Sequence, residues 1–210
     1  MSGSMIAGKA LPMRALLTSL IIVIALPFAG LADDRSERID AARDFIHASG
    51  MWQSILYNMP DVGAAVVESI REMRPELRDD QARDIASLLN ARYETEQPAF
   101  LDTVSGVLAN HLSTADLREL AAYYRSEAGQ VQARAIARGS EMTDADMAAL
   151  ILALPPEAQA EVARFGSSQA ARNWLTAQPR FIGDIERASE SFGENLVSSS
   201  VAEIQAILAR

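Results

Sequence analysis

The amino-acid sequence predicts an all-α fold, and three observations support this class. Alanine is abundant and β-branched residues are scattered, which favours helices over strands. Downstream of residue 32, apolar residues recur at intervals of three and four, and no stretch alternates apolar with polar residues. No linker rich in proline, glycine or serine divides this part of the chain. We therefore predict a single domain of short antiparallel helices over residues 33–210.

The first 32 residues have the three parts of a secretory signal peptide. Two basic residues precede an apolar run over residues 15–26, and the segment ends in the small residues Gly30 and Ala32. We expect cleavage after Ala32 and a periplasmic or secreted mature protein. The alternative is an uncleaved inner-membrane anchor over residues 15–32, whose length is at the short limit for a bilayer span.

Proline, glycine and capping residues divide the first half of the mature chain into predicted helices. The first covers about residues 35–48, and the second is interrupted by Pro60 before it ends at Pro75. A third helix follows the acidic cap at Asp79. We expect a separate fourth helix near Pro98, because proline is favoured in a first helical turn.

Two later segments resemble each other at a spacing of 142 − 112 = 30 residues. Ser113 is followed three residues later by Asp116, and Thr143 is followed by Asp146, as in a capping box. The same apolar stripe and a second short helix follow each cap. We predict two similar helical hairpins, the second over about residues 142–166.

In the last part of the chain, the sequence predicts a short helix through Trp174, a break at Pro179 and then a long final segment. That segment carries apolar residues in rough helical register, among them Ile182, Ile185, Phe192, Leu196, Ile204 and Ile207.

Residues 120–130, with the sequence LAAYYRSEAGQ, resemble an exported bacterial family catalogued as domain of unknown function 2059. That family is marked by a helix that ends in an aromatic pair, followed by Arg-Ser-Pro-x-Gly-Gln or close variants. Tyr123 stands here where phenylalanine is usual, and Glu127 stands where proline is common. The resemblance covers about residues 80–138 and is centred on residues 112–130. It implies an exported helical protein and names no activity.

The residues of this motif have a structural and a functional interpretation. In the structural one, Tyr124 is buried on the apolar stripe, Ser126 caps the following helix and Gly129 permits a close helix crossing. In the functional one, three side chains line a groove for a small anion or peptide, namely Tyr123, Arg125 and Gln130.

Trp52 is the second candidate binding residue, because it follows the helix break at Gly50 and lies close to Tyr57. A helix junction there would leave an aromatic surface partly open. The two tryptophans and several methionines predict either ordinary core packing or a soft hydrophobic groove for lipid or partner helices. The methionines concerned are Met51, Met59, Met73, Met142 and Met147.

The sequence lacks the parts of the common catalytic sites. It contains no cysteine, which excludes disulfides, thiolate metal sites and a cysteine nucleophile. Its two histidines argue against a histidine-rich metal site. His111 could act as a base with Asp116 or Glu119, but stabilisation by its own helix end is the simpler interpretation. We expect no catalytic site, no bound metal and no cofactor.

The charge balance narrows the classes of partner. The chain has 19 basic and 28 acidic residues and a net charge of −9. Such an acidic protein is repelled by phosphate backbones and anionic lipids, so we expect no nucleic-acid binding, and membrane association only if the leader is retained. We predict a non-catalytic binding or interaction module of the cell envelope. Its partner would be an envelope protein or a hydrophobic ligand; an envelope hydrolase is the third alternative, and the sequence specifies no oligomeric state.

Overall fold

The computed structural model describes residues 26–59, 61–137 and 143–210. Within these ranges the chain is helical and contains no strand, which confirms the predicted all-α class. The helices are α1 (Leu26–Ala48), α2 (Met51–Asn58), α3 (Val62–Met73), α4 (Asp79–His111), α5 (Thr114–Arg125), α6 (Glu127–Ala137), α7 (Asp144–Leu152), α8 (Pro156–Gly166), α9 (Gln169–Ser199) and α10 (Val201–Leu208). The chain divides into two units between residues 37 and 38, and the contacts described below belong to residues 38–210.

The predicted signal peptide falls mostly on residues 1–25, which lie outside the described residues. Helix α1 ends at Ala48 as predicted and is already helical at Leu26, the first of the described residues, whereas the sequence predicted a start near residue 35. Over the part of the chain that the structure describes, no helix combines the length and the apolar character that a bilayer span requires.

The predicted helix breaks at Pro98 and Pro179 are wrong. Helix α4 runs for 33 residues with Pro98 inside it, and α9 runs for 31 residues with Pro179 inside it. A proline within a helix costs about 3 kcal/mol, because it removes one hydrogen bond and crowds the preceding turn. Buried apolar residues on both sides of each proline offset that cost, for example Leu89 and Phe100 in α4. These two segments are therefore long helices and not the short ones predicted.

In the described part of the chain the core consists of two hydrophobic clusters, and α4 and α9 contribute to both. The first joins α1 to α5, α6 and the second half of α4, and it includes Phe45, Val104 and Leu117. The second joins α3 and α10 to the first half of α4 and the end of α9, around Leu89 and Leu196. The two long helices thus carry the packing from one cluster to the next.

Both predicted capping boxes form. The Ser113 hydroxyl accepts a hydrogen bond from the Asp116 backbone N–H at 3.1 Å, and the Thr143 hydroxyl accepts one from the Asp146 N–H at 3.2 Å. In each box the carboxylate accepts the backbone N–H of the capping residue, at 3.3 Å and 3.0 Å. Because these bonds satisfy N–H groups that have no partner within the helix, α5 and α7 begin where the sequence predicts.

Candidate functional site

The family-like motif forms the corner between α5 and α6, with Ser126 as the single residue between the two helices. The Ser126 N–H donates to the Tyr123 carbonyl at 2.9 Å, and the Ser126 hydroxyl accepts from the Gly129 N–H at 3.2 Å. The Gln130 side-chain amide donates to the Tyr124 carbonyl at 2.5 Å. The motif therefore satisfies the backbone groups of its own corner.

Gly129 lies where the two helices of this corner come closest. A Cβ atom placed on it would overlap the Tyr123 carbonyl oxygen and lie 2.6 Å from the Tyr124 Cα. Because both obstacles are backbone atoms, no side-chain rotation relieves the overlap. A glycine is therefore required at this corner for steric reasons.

The two tyrosines of the motif are buried. The Tyr123 ring stacks on Phe165 with ring centroids 3.7 Å apart, and Tyr124 packs against Phe45 at 5.8 Å. The Tyr123 hydroxyl has no hydrogen-bond partner among the described residues. Burial raises the pKa of both tyrosines to about 12, so both phenols are neutral at ordinary pH.

The other two predicted motif residues also make intramolecular contacts. Arg125 is exposed and forms an ion pair with Asp44, while Gln130 is turned towards the end of α5. The small-anion or peptide groove that we predicted from these two residues and Tyr123 stays a prediction. None of these three side chains lines the cavity described next.

A groove with a volume of about 1200 Å³ lies between α2, α3, α9 and α10. Its wall is mostly apolar, and α3 presents a continuous stripe to it. That stripe consists of Val62, Val66, Ile70 and Met73. Isoleucines and valines of α9 and α10 form the opposite wall, among them Ile182, Ile185, Val197, Val201 and Ile204.

The groove is partly open to solvent, although Ile70 and Ile204 in its wall are buried. Met73 is 75% exposed, and Ile182 and Val201 are each 44% exposed. Helices α3 and α9 both pack on α4, and the faces that they turn towards the groove remain uncovered within the described chain. Exposed apolar patches of this kind commonly mark binding sites for proteins or ligands.

Within the described ranges, the charged side chains that line the groove are two carboxylates, Glu186 and Glu190. They lie one turn apart on α9, and both are exposed. The other polar groups are neutral, namely Ser54, Ser69, Ser189 and Gln205. The groove is therefore an apolar channel with an acidic edge.

Of the tryptophans and methionines predicted as core or groove residues, both tryptophans, Met51 and Met59 pack against the first cluster. Trp52 is half-buried and packs on Phe100 at 6.0 Å, and Trp174 packs on Phe45 at 5.0 Å, so both tryptophans belong to the first cluster. Three methionines line the groove: Met51, Met59 and Met73. Met147 is not among the lining residues, and Met142 lies outside the described residues.

Sequence reasoning did not identify the acidic edge. The available signal was the spacing in the sequence. Glu186 lies four residues after Ile182 and four before Glu190, so the three side chains share one side of the helix. The sequence also placed the apolar residues of α9 in helical register, without predicting that they share one groove with the stripe of α3. Their pairing depends on how both helices pack on α4.

His111 pairs with a residue that the sequence did not suggest. Its Nε2 lies 2.6 Å from Asp184 on α9, whereas Asp116, one of the two expected partners, is held in its capping box. This hydrogen bond lowers the pKa of Asp184, and the nearby charge of Arg187 adds to the effect. The described residues contain no cluster of three acidic or histidine side chains able to hold a metal ion.

The α5–α6 corner lies within a segment that matches a known family. Residues 98–161 match DUF2059. That family is described as "Uncharacterized protein conserved in bacteria", and the match confirms the resemblance recognised in the motif. The DUF2059 segment begins at Pro98, later than the expected residue 80, and extends through α7 into α8. No curated protein and no solved structure gives a significant match to the chain.

Proposed function

We propose that this chain is a non-catalytic binding module that takes the apolar surface of a partner protein into the groove between α3 and α9. The groove itself supports the proposal, since its volume is about 1200 Å³ and its wall is apolar. Pockets for drug-sized ligands have volumes of about 300–1000 Å³ and enclose most of the ligand. A wider channel that stays open to solvent suits one face of a helix.

The composition of the wall fits a protein partner. Met51, Met59 and Met73 contribute flexible, polarizable side chains that adapt to the shape of an occupant. The exposed Ile182 and Val201 lie on the wall formed by α9 and α10, where a partner helix would cover them. Their removal from water would contribute to the free energy of binding.

The proposal includes export to the periplasm, and the signal-peptide pattern in residues 1–32 supports it. The absence of recognised catalytic motifs in the sequence supports a non-catalytic role. A carrier of a hydrophobic ligand is the second candidate, and the apolar wall of the same groove favours it. A binding experiment with two kinds of probe separates these candidates.

The test measures fluorescence anisotropy of a labelled neutral peptide titrated with the full chain. The peptide is an amphipathic helix with leucine on one face and glutamine on the other. We expect the double variant Met73→Ser/Ile182→Ser to bind it about tenfold more weakly, because two apolar side chains are lost from the groove. The matched control is Leu152→Ser/Leu175→Ser, which removes two exposed leucines outside the groove and leaves the affinity unchanged.

Two outcomes would contradict the proposal. The first is an equal loss of affinity in the groove variant and the control variant. The second is binding of the uncharged dye Nile red in the groove without binding of the peptide, which would favour the ligand carrier. Circular dichroism of each variant verifies that helix content is unchanged, so that a loss of affinity is not a loss of fold.

A further inference from the structure

Glu186 and Glu190 give the groove a charge preference. They are separated by four residues on α9, so their Cα atoms lie about 6 Å apart along the helix axis. Neither has an ion-pair partner among the described residues, in contrast to Glu203, which pairs with Arg92 at 2.9 Å. Among the residues that the structure describes, no basic side chain lines the groove. An occupant therefore meets two carboxylates that form no ion pair within the described residues; the nearby Arg187 pairs instead with Asp184.

This arrangement disfavours several apolar occupants. A fatty acid, an anionic lipid or an acidic helix would bring a further negative charge close to the two carboxylates. The like charges of the occupant and the carboxylates would repel each other, and the net charge of −9 adds a long-range repulsion. The same field attracts a cationic partner and accelerates its association.

The spacing of the groove features matches a helix. The stripe from Val62 to Met73 extends over three turns of α3, so the apolar wall is long enough for several anchors of one partner helix. The acidic pair repeats at one helical turn, which is also the spacing of basic residues at i and i+4 on an occupant. An apolar face beside a basic edge is the pattern of a basic amphipathic helix.

From this juxtaposition we infer that the groove binds a basic amphipathic helix of a partner protein. The apolar face of that helix covers the wall formed by α3, α9 and α10, and its lysine or arginine side chains lie opposite Glu186 and Glu190. The inference rests on the proposed function and adds the chemical class of the partner. Glu186 and Glu190 are the residues that determine the charge specificity.

The experiment compares three labelled peptides with the same leucine face and with lysine, glutamine or glutamate on the polar face. We expect the full chain to prefer the lysine peptide over the glutamine peptide by about five- to tenfold at low salt, because two carboxylates each contribute a modest surface attraction. The glutamate peptide binds most weakly. The preference falls as the salt concentration rises, because salt screens exposed charges.

The variant Glu186→Gln/Glu190→Gln tests where the preference arises. We expect it to reduce the lysine-to-glutamine preference to below about twofold and to leave the affinity for the neutral glutamine peptide unchanged. The matched control Glu94→Gln/Glu119→Gln makes the same change in net charge at exposed positions of α4 and α5. That control keeps most of the preference.

Failure of this inference differs from failure of the proposed function. Equal affinities for all three peptides would overturn the charge preference and leave the apolar groove as the binding site. An equal loss of preference in the groove and control variants would overturn the role of Glu186 and Glu190. Failure of every peptide to bind, or binding insensitive to Met73→Ser/Ile182→Ser, would instead overturn the proposed function.

Discussion

The α5–α6 corner and the groove are both built from apolar helix faces, yet one is closed and the other is open. In the corner, Tyr123 is 5% exposed, and its ring stacks on Phe165. In the groove, Met73 is 75% exposed. The corner closes because Gly129 lets the two backbones touch and a second helix follows after one residue. The groove stays open because α3 and α9 each pack on α4 and leave a face uncovered.

The part of the chain that matches DUF2059 differs from the part that is proposed to bind a partner. The DUF2059 segment, residues 98–161, contains the corner, whereas the residues that line the groove lie outside it with the exception of Ile136. The motif that carries the family resemblance therefore maintains a helix junction. The proposed binding surface is formed by segments on both sides of the DUF2059 segment.

The largest expected effect is the destabilisation caused by Gly129→Ala. The added Cβ meets backbone atoms of α5, so we expect the free energy of unfolding to fall by about 3 kcal/mol, at the upper end of overpacking costs. Urea denaturation measures the change. The control is Gly106→Ala on α4, where a Cβ meets no atom within 4 Å. It should stabilise the protein by up to about 1 kcal/mol, and similar losses in both variants would refute the steric explanation.

A smaller effect, of opposite sign, is expected for Tyr123→Phe. The substitution removes a buried hydroxyl that has no hydrogen-bond partner in the described part of the chain and keeps the stacked ring, so stability at pH 7 should rise by about 1 kcal/mol. Burial raises the pKa of Tyr123 from 10.0 to about 12. The Tyr123 phenol therefore loses its proton at a lower pH in the unfolded chain than in the folded chain. The free energy of unfolding of the wild type falls as the pH rises from 10.0 to about 12.

Urea denaturation at pH 7 and pH 11 tests both parts of this prediction. The stability advantage of Tyr123→Phe should be larger at pH 11, because the variant has no phenol to keep neutral at position 123. Tyr124→Phe provides the comparison, since burial also raises the pKa of Tyr124 to about 12. An advantage that does not change with pH would contradict the assignment of a neutral, buried Tyr123.

The smallest effect is expected for Asp184→Asn, at the contact between α4 and α9. The hydrogen bond from His111 lowers the pKa of Asp184 below 3.8, so its stabilising contribution is present above pH 3.8 and is lost as pH falls through the lower folded-state pKa. We expect the variant to have a slightly lower Tm at pH 7. The difference from wild type should narrow below pH 3.8.

Thermal denaturation over a pH series measures this difference. The control is Arg187→Gln, which removes the exposed ion-pair partner of Asp184 and keeps the contact with His111 at 2.6 Å. Because exposed ion pairs contribute little to stability, its effect should be smaller than that of Asp184→Asn. An equal or larger effect of Arg187→Gln would mean that His111 does not hold this carboxylate.

The sequence by itself determined the helical class, the two capping boxes and the identity of the corner motif. These features depend on residues within a few positions of one another, such as Ser113 and Asp116, whose mutual hydrogen bonds start α5. Local spacing is sufficient because a cap satisfies its own backbone groups. The end of α1 and the family motif were also predicted from neighbouring residues, namely Ser49 with Gly50 and residues 120–130.

The tertiary structure decided the features that depend on distant contacts. Pro98 and Pro179 remain within long helices because packing on both sides of each proline offsets the lost hydrogen bond. His111 contacts Asp184, 73 residues away, because α9 lies against α4. The groove forms where α3 and α9 pack on the same helix without covering each other. A stripe of apolar residues specifies that a face is to be buried, but only the assembled helices determine whether a neighbour covers it.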